Sequence, residues 1–410
     1  MRAALPGSLR EVRRPLRAAL LLAGIALLGA NLRASITAVG PLLGEIREST
    51  GISGGLAGLL TALPIVAFAA LSPLAPGLAR RFGLERVLFG SLLLLAGGIL
   101  LRSAPPVATL FLGTAVLGVA IAVGNVLLPG MVKRDFPNHA GLVTGVYITA
   151  MNVSAALATG LSVPLAYQAA LGWRGALGCW AMLAVVAACV WLPLLRRSRR
   201  PGAGAQALRF FGLWRSPLAW QVTLFMGLQS VVFYVCITWL PDILRGYGLD
   251  AAQAGWMVSL MQFVSIPAAL FVPILAGRLR SQRGLAAAAA ALSGTGTLGL
   301  LLAGSTGAAL WITLLGLGQG SCISLALTLF ALRAPDARHA AELSGMAQAV
   351  GYALAALGPP LFGLLYDATR GWTIPLAVLL AVTVCLLFLG LGAGRNAYVT
   401  SAGAAPRSER

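Results

Sequence analysis

The residue with the clearest chemical potential is Arg33, which lies inside an otherwise apolar stretch at 18–42. A guanidinium is always charged and offers a planar fork of donors that suits anionic or electron-rich groups. Arg33 is about 15 residues into the predicted helix, or about 22 Å at the usual rise, which is at or beyond the middle of a bilayer core roughly 30 Å thick. We interpret it as the anchor of a binding site, with an ion pair or snorkelling to the interface as the alternative.

Other polar side chains in the apolar stretches are candidates for the same site. We expect no Asp or Glu inside any span, so Arg33 should have no carboxylate partner there, and a proton-coupled exporter of cations is not favoured. Each amide has an equally good alternative role, a hydrogen bond between helices. Besides Arg33, the candidate substrate-binding residues are Thr37, Asn125, Tyr147, Asn152, Gln229, Phe233, Tyr234, Gln262, Gln319, Gln348 and Tyr352.

Residues typical of catalysis or metal binding are sparse. His139 and His339 occupy matching helix ends, without a carboxylate beside them in the spans. The cysteines all lie in apolar runs, and none forms a CxxC pair or neighbours a histidine, so they are interpreted as small buried residues. We therefore expect no catalytic site, no metal, no cofactor and no enzymatic activity.

The composition indicates that a membrane holds these residues. Of 410 residues, 59% are apolar and 10% are charged, against about a quarter charged in an average soluble domain. This excludes a soluble enzyme, a nucleic-acid-binding domain and a disordered protein. The net charge of +19 is interpreted as a topology signal on cytoplasmic loops rather than as a nucleic-acid footprint. The expected partners are the lipid bilayer and a small-molecule substrate, and the chain is expected to be a monomer.

Twelve segments reach the length of about 20 apolar residues that a spanning helix needs. Most arginine and lysine residues fall on alternate loops, which places both termini in the cytoplasm of a bacterial-type inner membrane. The predicted spans are 18–42, 54–76, 85–103, 107–131, 140–168, 173–195, 217–241, 252–276, 285–304, 308–332, 340–366 and 372–393.

The chain divides into two similar halves. Residues 1–195 and 217–393 each hold six spans, 196–216 is a polar cytoplasmic linker, and 394–410 is a cytoplasmic tail. Gly172-Trp173 recurs as Gly371-Trp372, among other matches in the same order. A parallel repeat of six helices about an axis along the membrane normal predicts an all-α membrane protein of two pseudo-symmetric bundles.

Two loops resemble a known pattern. The segments Pro76–Arg86 and Pro273–Arg278 are similar to the G-x-L-A-D-R-x-G-R-R loop of the major facilitator superfamily, with Arg80 in place of the usual Asp. The resemblance implies the twelve-helix fold of that family, with helices 1, 4, 7 and 10 around a central cavity. It also marks loop positions that act in gating, here Arg80, Arg81 and Arg278.

The first span carries a narrower resemblance. The run from Asn31 to Leu43 is similar to the N-L-R-x-x-I-x-x-V-G-P-L-L run of the cyanate/2-nitroimidazole porter family. This resemblance implies secondary transport of a small anion or small polar aromatic solute by alternating access. An exporter of lipophilic drugs and a non-transporting receptor on the same fold remain alternatives, whereas a nitrate-type carrier would show paired arginines in helices 2 and 8.

Overall fold

The computed structural model describes residues 7–71, 74–136, 140–197, 213–335 and 337–399, and the regular structure within them is helical. Twelve helices in this part of the chain are long and apolar enough to cross a membrane, which confirms the predicted number. Their bounds are α1 Ala19–Thr50, α2 Gly54–Leu71, α3 Leu84–Ser103, α4 Val107–Asp135, α5 Ala140–Tyr167, α6 Gly172–Leu195, α7 Pro217–Gly246, α8 Ala251–Arg278, α9 Arg283–Ala303, α10 Ala308–Leu332, α11 Ala337–Thr369 and α12 Thr373–Ala393.

Two of these spans are not single regular helices. The regular helix of α1 ends at Thr37 and is followed by a 3-10 turn, Gly40–Leu42, and a short helix, Leu43–Thr50. Pro41 lies in that turn, and a proline cannot donate the backbone bond that would continue a helix. Span α6 is likewise divided, into Gly172–Gly178, Ala181–Trp191 and a final 3-10 segment.

The two sets of six helices repeat one packing scheme. In the first set α1 packs on α5, and α2 and α3 pack on α4; in the second α7 packs on α11, and α8 and α9 pack on α10. A Cβ added to Gly98 would lie 2.7 Å from the backbone nitrogen of Leu117, and one added to Gly296 would lie 2.7 Å from that of Leu315. Glycine therefore permits the same close helix contact at matching places in both halves. Most of the predicted linker, and the tail beyond 399, lie outside the described residues.

The halves meet at one end of the molecule. We call the end that carries Arg81, Arg86, Arg134 and Arg278 the basic end, and the other the opposite end. Helix α2 packs on α11 and α5 packs on α8. These helices begin or finish at the opposite end, and their contacts fall towards it.

Short side chains make the contacts at the opposite end. The hydroxyl of Thr238 on α7 lies 3.1 Å from that of Thr61 on α2. Ser259 on α8 donates to the carbonyl of Ala156 on α5 at 2.7 Å. The backbones of α2 and α11 also approach closely at Gly58 and Pro359. These contacts between the halves close the opposite end of the molecule.

Two of the predicted spans, 85–103 and 340–366, each contain a carboxylate, so the expectation of none is wrong. Glu85 is in the first turn of α3 and is buried, and its Oε1 lies 2.7 Å from Nη2 of Arg134 on α4. Glu342 is buried in α11. Both lie near the N-terminus of their helix, at the end of the molecule that carries the basic loops. A nearby cation or the helix N-terminus can there offset the desolvation of a carboxylate. A hydropathy window tolerates one such residue at its edge, and for that reason the pattern of apolar residues did not reveal them.

Candidate substrate site

Arg33 contacts both halves of the molecule. It is half-buried, and its Nη1 donates to Oδ1 of Asn152 on α5 at 2.8 Å. The guanidinium carbon lies 4.7 Å from the centroid of the Phe233 ring on α7. No carboxylate in the described part of the chain forms an ion pair with it. The described partners of the Arg33 guanidinium, an amide and an aromatic ring, are uncharged. They therefore position its positive charge without neutralising it.

Three more aromatic rings complete this group. Phe233 and Tyr234 meet edge to face with centroids 5.3 Å apart, and Phe68 on α2 meets Tyr352 on α11 in the same way at 5.7 Å. Tyr234 and Tyr352 lie within electrostatic range of Arg33. Rings in these orientations offer planar faces and polar hydroxyl tips, which suit a flat polar solute. We call this set the Arg33 cluster: Arg33, Phe68, Asn152, Phe233, Tyr234 and Tyr352.

Side chains on both sides of Arg33 fix α1 against its neighbours. Asn31 donates to the carbonyl of Leu183 on α6 at 3.2 Å, and Ser154 on α5 donates to the carbonyl of Ala30 at 2.6 Å. Thr37 donates to the carbonyl of Ala155 at 3.1 Å and is buried. The Arg33 backbone thus has little freedom relative to α5, and the hydroxyl of Thr37, a predicted site residue, is used in helix packing.

The predicted glutamines do not join the Arg33 cluster through any described hydrogen bond. Gln229 donates to Ser230 and Gln348 to Ser344, each on its own helix. Gln262 on α8 donates to Thr159 on α5 at 3.0 Å, which joins the two halves. In each case the amide has a packing role.

Asn125, Tyr147 and Gln319 also lie outside the cluster. Asn125 is exposed on α4, and Tyr147 is half-buried on α5, where its backbone faces Gly29. Gln319 on α10 donates to Ser293 on α9 at 3.2 Å. The carbonyl oxygens of Gln262 and Gln319 are buried without a hydrogen-bond partner in the described structure, so both retain an acceptor.

The predicted gating residues are at the basic end. Arg81 is exposed, with its guanidinium carbon 5.2 Å from the Phe82 ring centroid, and Arg278 is exposed at the end of α8. The side chain of Arg80 and the whole of His139 lie outside the described residues. His339 is in the first turn of α11 and has an interaction partner.

Sequence reasoning missed a contact at the opposite end. Nη2 of Arg47 on α1 lies 3.4 Å from Oδ1 of Asp367 on α11, and the other oxygen of Asp367 accepts from the backbone N–H of Gly55 on α2 at 3.3 Å. The guanidinium also lies 5.5 Å from the Tyr366 ring centroid. This group, which we call the Arg47–Asp367 latch, ties the first half to the second.

A cavity of about 950 Å³ opens beside the latch. Both halves contribute to its wall, and the side chains with charge or aromatic character are Arg47, Glu48, Asp242, Arg245, Asp250, Tyr366 and Trp372. The wall carries both positive and negative side chains, so its charge does not favour either anions or cations.

Breaking the Arg47–Asp367 latch is expected to loosen the closed opposite end. Because both side chains are partly exposed, the pair contributes only about 0.2–1 kcal/mol, so Arg47→Gln should raise the open fraction at most about fivefold. Labelling of a cysteine placed at Thr61, from the opposite side, measures that fraction. Exchanging the charges, R47D with D367R, should restore part of the closure.

Arg370→Gln is the matched control for the latch. Arg370 is exposed at the same end, just after α11, and forms no ion pair in the described part of the chain. Its loss should leave labelling at 61 unchanged. Equal labelling in the Arg47 and Arg370 variants would show that the latch does not contribute to closure.

Comparison with known proteins finds similarity over most of the chain. The family model described as Major Facilitator Superfamily matches residues 19–359 and 237–408. The chain is 49% identical over 380 residues to the uncharacterized transporter YycB of Bacillus subtilis, covering 92% of this chain and 94% of that protein. It is 45% identical to the 2-nitroimidazole transporter of Escherichia coli (92% and 95% covered) and 30% identical to the cyanate transport protein CynX of the same organism (90% and 95%).

Solved structures share the fold at low sequence identity. A bacterial homologue of the human lysosomal transporter Spinster, in an inward-facing and unoccupied conformation, matches with a TM-score of 0.77 at 15% identity, covering 93% of this chain and 98% of that one. A D-xylose-proton symporter matches with a TM-score of 0.73 at 14% identity, covering 90% and 96%. At these identities the likeness establishes the arrangement of the helices.

Proposed function

Because the chain belongs to the Major Facilitator Superfamily, we propose that it carries a small anionic or polar aromatic solute across the membrane by alternating access. That it is a multi-pass membrane transporter and not an enzyme follows from the family and its relatives. The substrate class, the secondary active mechanism and the site are the proposal. Both halves of the site come from one chain, so a monomer suffices.

The observation that carries the proposal is the position of Arg33. Its charge lies deep in α1, touches both halves through Asn152 and Phe233, and meets no carboxylate among the described residues. A cation inside the membrane is costly unless something compensates it, and a bound anion would do so. Because the guanidinium fork is planar, it favours a flat group with acceptors in its plane.

The aromatic members of the Arg33 cluster narrow the solute further. Tyr234 and Tyr352 offer hydroxyls, and Phe68 and Phe233 offer apolar faces. A small planar ring with a polar or charged edge would satisfy both kinds of surface. The names of the two relatives from Escherichia coli, for 2-nitroimidazole and cyanate, agree with this class and support it.

The sidedness of the protein is part of the proposal. Loops at the basic end carry the positive charge that marks a cytoplasmic surface, so the basic end would face the cytoplasm of the inner membrane. Since the described contacts close the opposite end, the conformation is then inward-facing. Residues 1–195 and 217–393 would be the two bodies that rock about the cluster, with 196–216 as linker and 394–410 as tail.

Counterflow in proteoliposomes tests the function directly. Vesicles loaded with unlabelled solute should accumulate the labelled form, with cyanate, nitrate, benzoate and 2-nitroimidazole as the panel. We expect exchange of at least one planar anion or nitroimidazole, competed by the others. Exchange of a lipophilic cation with none of the panel would identify the alternative exporter and overturn the proposal, and binding of the panel without counterflow would indicate a receptor.

A further inference from the structure

The break in α1, four residues after Arg33, leaves backbone carbonyls without their helical partners. In a regular helix the N–H of Val39 would bond to the carbonyl of Ser35. Here it bonds to the carbonyl of Ile36 at 3.3 Å instead. The carbonyl of Ser35 is therefore released at the end of the helix, where it needs a donor from another element.

Two neighbouring carbonyls are released by the same break, and hydroxyls of α5 serve them. Pro41 has no N–H for the carbonyl of Thr37, which accepts from Thr159 at 3.4 Å. The carbonyl of Ala38 accepts from Ser162 at 3.0 Å. A neutral side chain is thus sufficient to satisfy a carbonyl in this turn.

The carbonyl of Ser35, by contrast, is served by a buried charge. Nη1 of Arg102, in the last turn of α3, donates to it at 2.7 Å, and Arg102 is 0% exposed. A Cβ at Gly113 on α4 would overlap the backbone nitrogen of Arg102, so the point from which the side chain projects is fixed. In the sequence Arg102 is only the next-to-last residue of the predicted span 85–103, and nothing there marks it as buried.

Arg102 has no counter-ion in the described structure. Its Nε and Nη2 are buried without hydrogen-bond partners, and none of the described carboxylates pairs with it. What it meets is the carbonyl end of α1, where the helix dipole is negative. The adjacent carbonyls accept hydrogen bonds from neutral hydroxyls. A guanidinium is costly to bury, so the need of the Ser35 carbonyl for a donor does not by itself explain why an arginine lies here.

We propose that Arg102 is a positioning residue for the Arg33 site: it holds the last turn of α1, which aims the Arg33 guanidinium, and adds a second buried positive charge that favours anions. Ser35 lies two residues after Arg33, on the same turn. The proposal rests on the proposed function, in which Arg33 binds the solute.

Affinity measurements test the role of Arg102. Arg102→Met keeps much of the length but no charge or donor, and Arg102→Lys keeps the charge without the fork. In thermal-shift titrations with cyanate and benzoate, Arg102→Met should raise Kd roughly tenfold to a hundredfold, since small misplacement of a binding group has effects of this size. Arg102→Lys should recover part of it. The control is Arg86→Met, exposed on the same helix, which should leave Kd unchanged.

A double variant separates positioning from general destabilisation. If Arg102 acts through Arg33, then adding Arg102→Met to Arg33→Gln should not raise Kd further, because the group being positioned is already gone. The probe is 2-nitroimidazole, whose binding should survive in the Arg33 variant. Fully additive effects of the two substitutions would overturn the positioning role.

Hydrogen exchange of the ligand-free protein gives a readout that needs no substrate. Backbone amides at 36–40 should exchange faster in Arg102→Met, or in Arg102→Lys if the first variant does not fold, and not in Arg86→Met. Unchanged exchange overturns the positioning role even if anions bind. If exchange is faster in Arg102→Met but the wild-type protein binds none of the probes, the result would support the positioning of α1 by Arg102 and refute the proposed function.

Discussion

Arg33→Gln is expected to reduce the affinity for planar anions by about 10- to 150-fold, the range for loss of a hydrogen bond to a charged group. Glutamine retains an amide that can meet Asn152 but removes the charge that the cluster leaves uncompensated. Neutral 2-nitroimidazole should lose less, since it depends more on the rings. Counterflow and thermal-shift titration of the same panel measure both effects.

Two further variants give this expectation its controls. Arg33→Lys keeps the charge as a point and loses the planar guanidinium that lies over the Phe233 ring, so its affinity for anions should lie between those of wild type and Arg33→Gln. Arg86→Gln removes an equal charge from an exposed position on α3 and should leave binding unchanged. An Arg33→Gln protein that transports anions as well as wild type would refute the anchoring role.

Gly58→Ala is expected to shift the protein strongly away from closure at the opposite end. A Cβ at Gly58 on α2 would overlap the carbonyl of Pro359 and lie 2.6 Å from Cα of Pro360 on α11. Both facing groups are backbone, so relief requires separation of the halves. Overpacking of this kind costs about 1–3 kcal/mol. Because only the closed state bears that cost, the ratio of open to closed should rise about 5- to 150-fold.

Labelling of Thr238→Cys from the opposite side measures this shift in a background without the native cysteines. Gly97→Ala is the matched control, because a Cβ at Gly97 meets no atom within 4 Å. It should leave labelling unchanged and preserve transport. Equal labelling in the Gly58 and Gly97 variants would show that the contact between α2 and α11 does not set the equilibrium.

The fold followed from the sequence because lipid constrains it so strongly. A helix in hydrocarbon must satisfy its own backbone and needs a fixed length, so apolar runs were enough to give twelve spans. Arg33 was identifiable for the same reason, since one charge in such a run has few structural explanations. Asn152, Phe233, Tyr234 and Tyr352 were on the predicted list, and the structure brings them to Arg33.

The partners that sequence reasoning missed are those that depend on distant contacts. Phe68 is an apolar residue in an apolar span, so no sequence signal distinguishes it from packing residues. Arg47 and Asp367 are 320 positions apart, and each by itself resembles an ordinary helix-end charge. Arg102 was not singled out because hydropathy gives the end of a span, but not whether the last side chain turns inward to another helix.

No carboxylate in the described part of the chain pairs with Arg33, so under the proposed function the empty and the anion-loaded transporter would differ in charge. With no solute bound, the charge of Arg33 is uncompensated in a low-dielectric layer. A bound monoanion would cancel that charge, while the buried charge of Arg102 is present in both states. A membrane potential of 100 mV acts with about 2.3 kcal/mol on each elementary charge that crosses the whole membrane. Over the part of this voltage that the Arg33 guanidinium crosses, the empty protein would therefore carry one more positive charge than the loaded protein. The return of the unloaded transporter would then depend on voltage differently from the step that carries the anion.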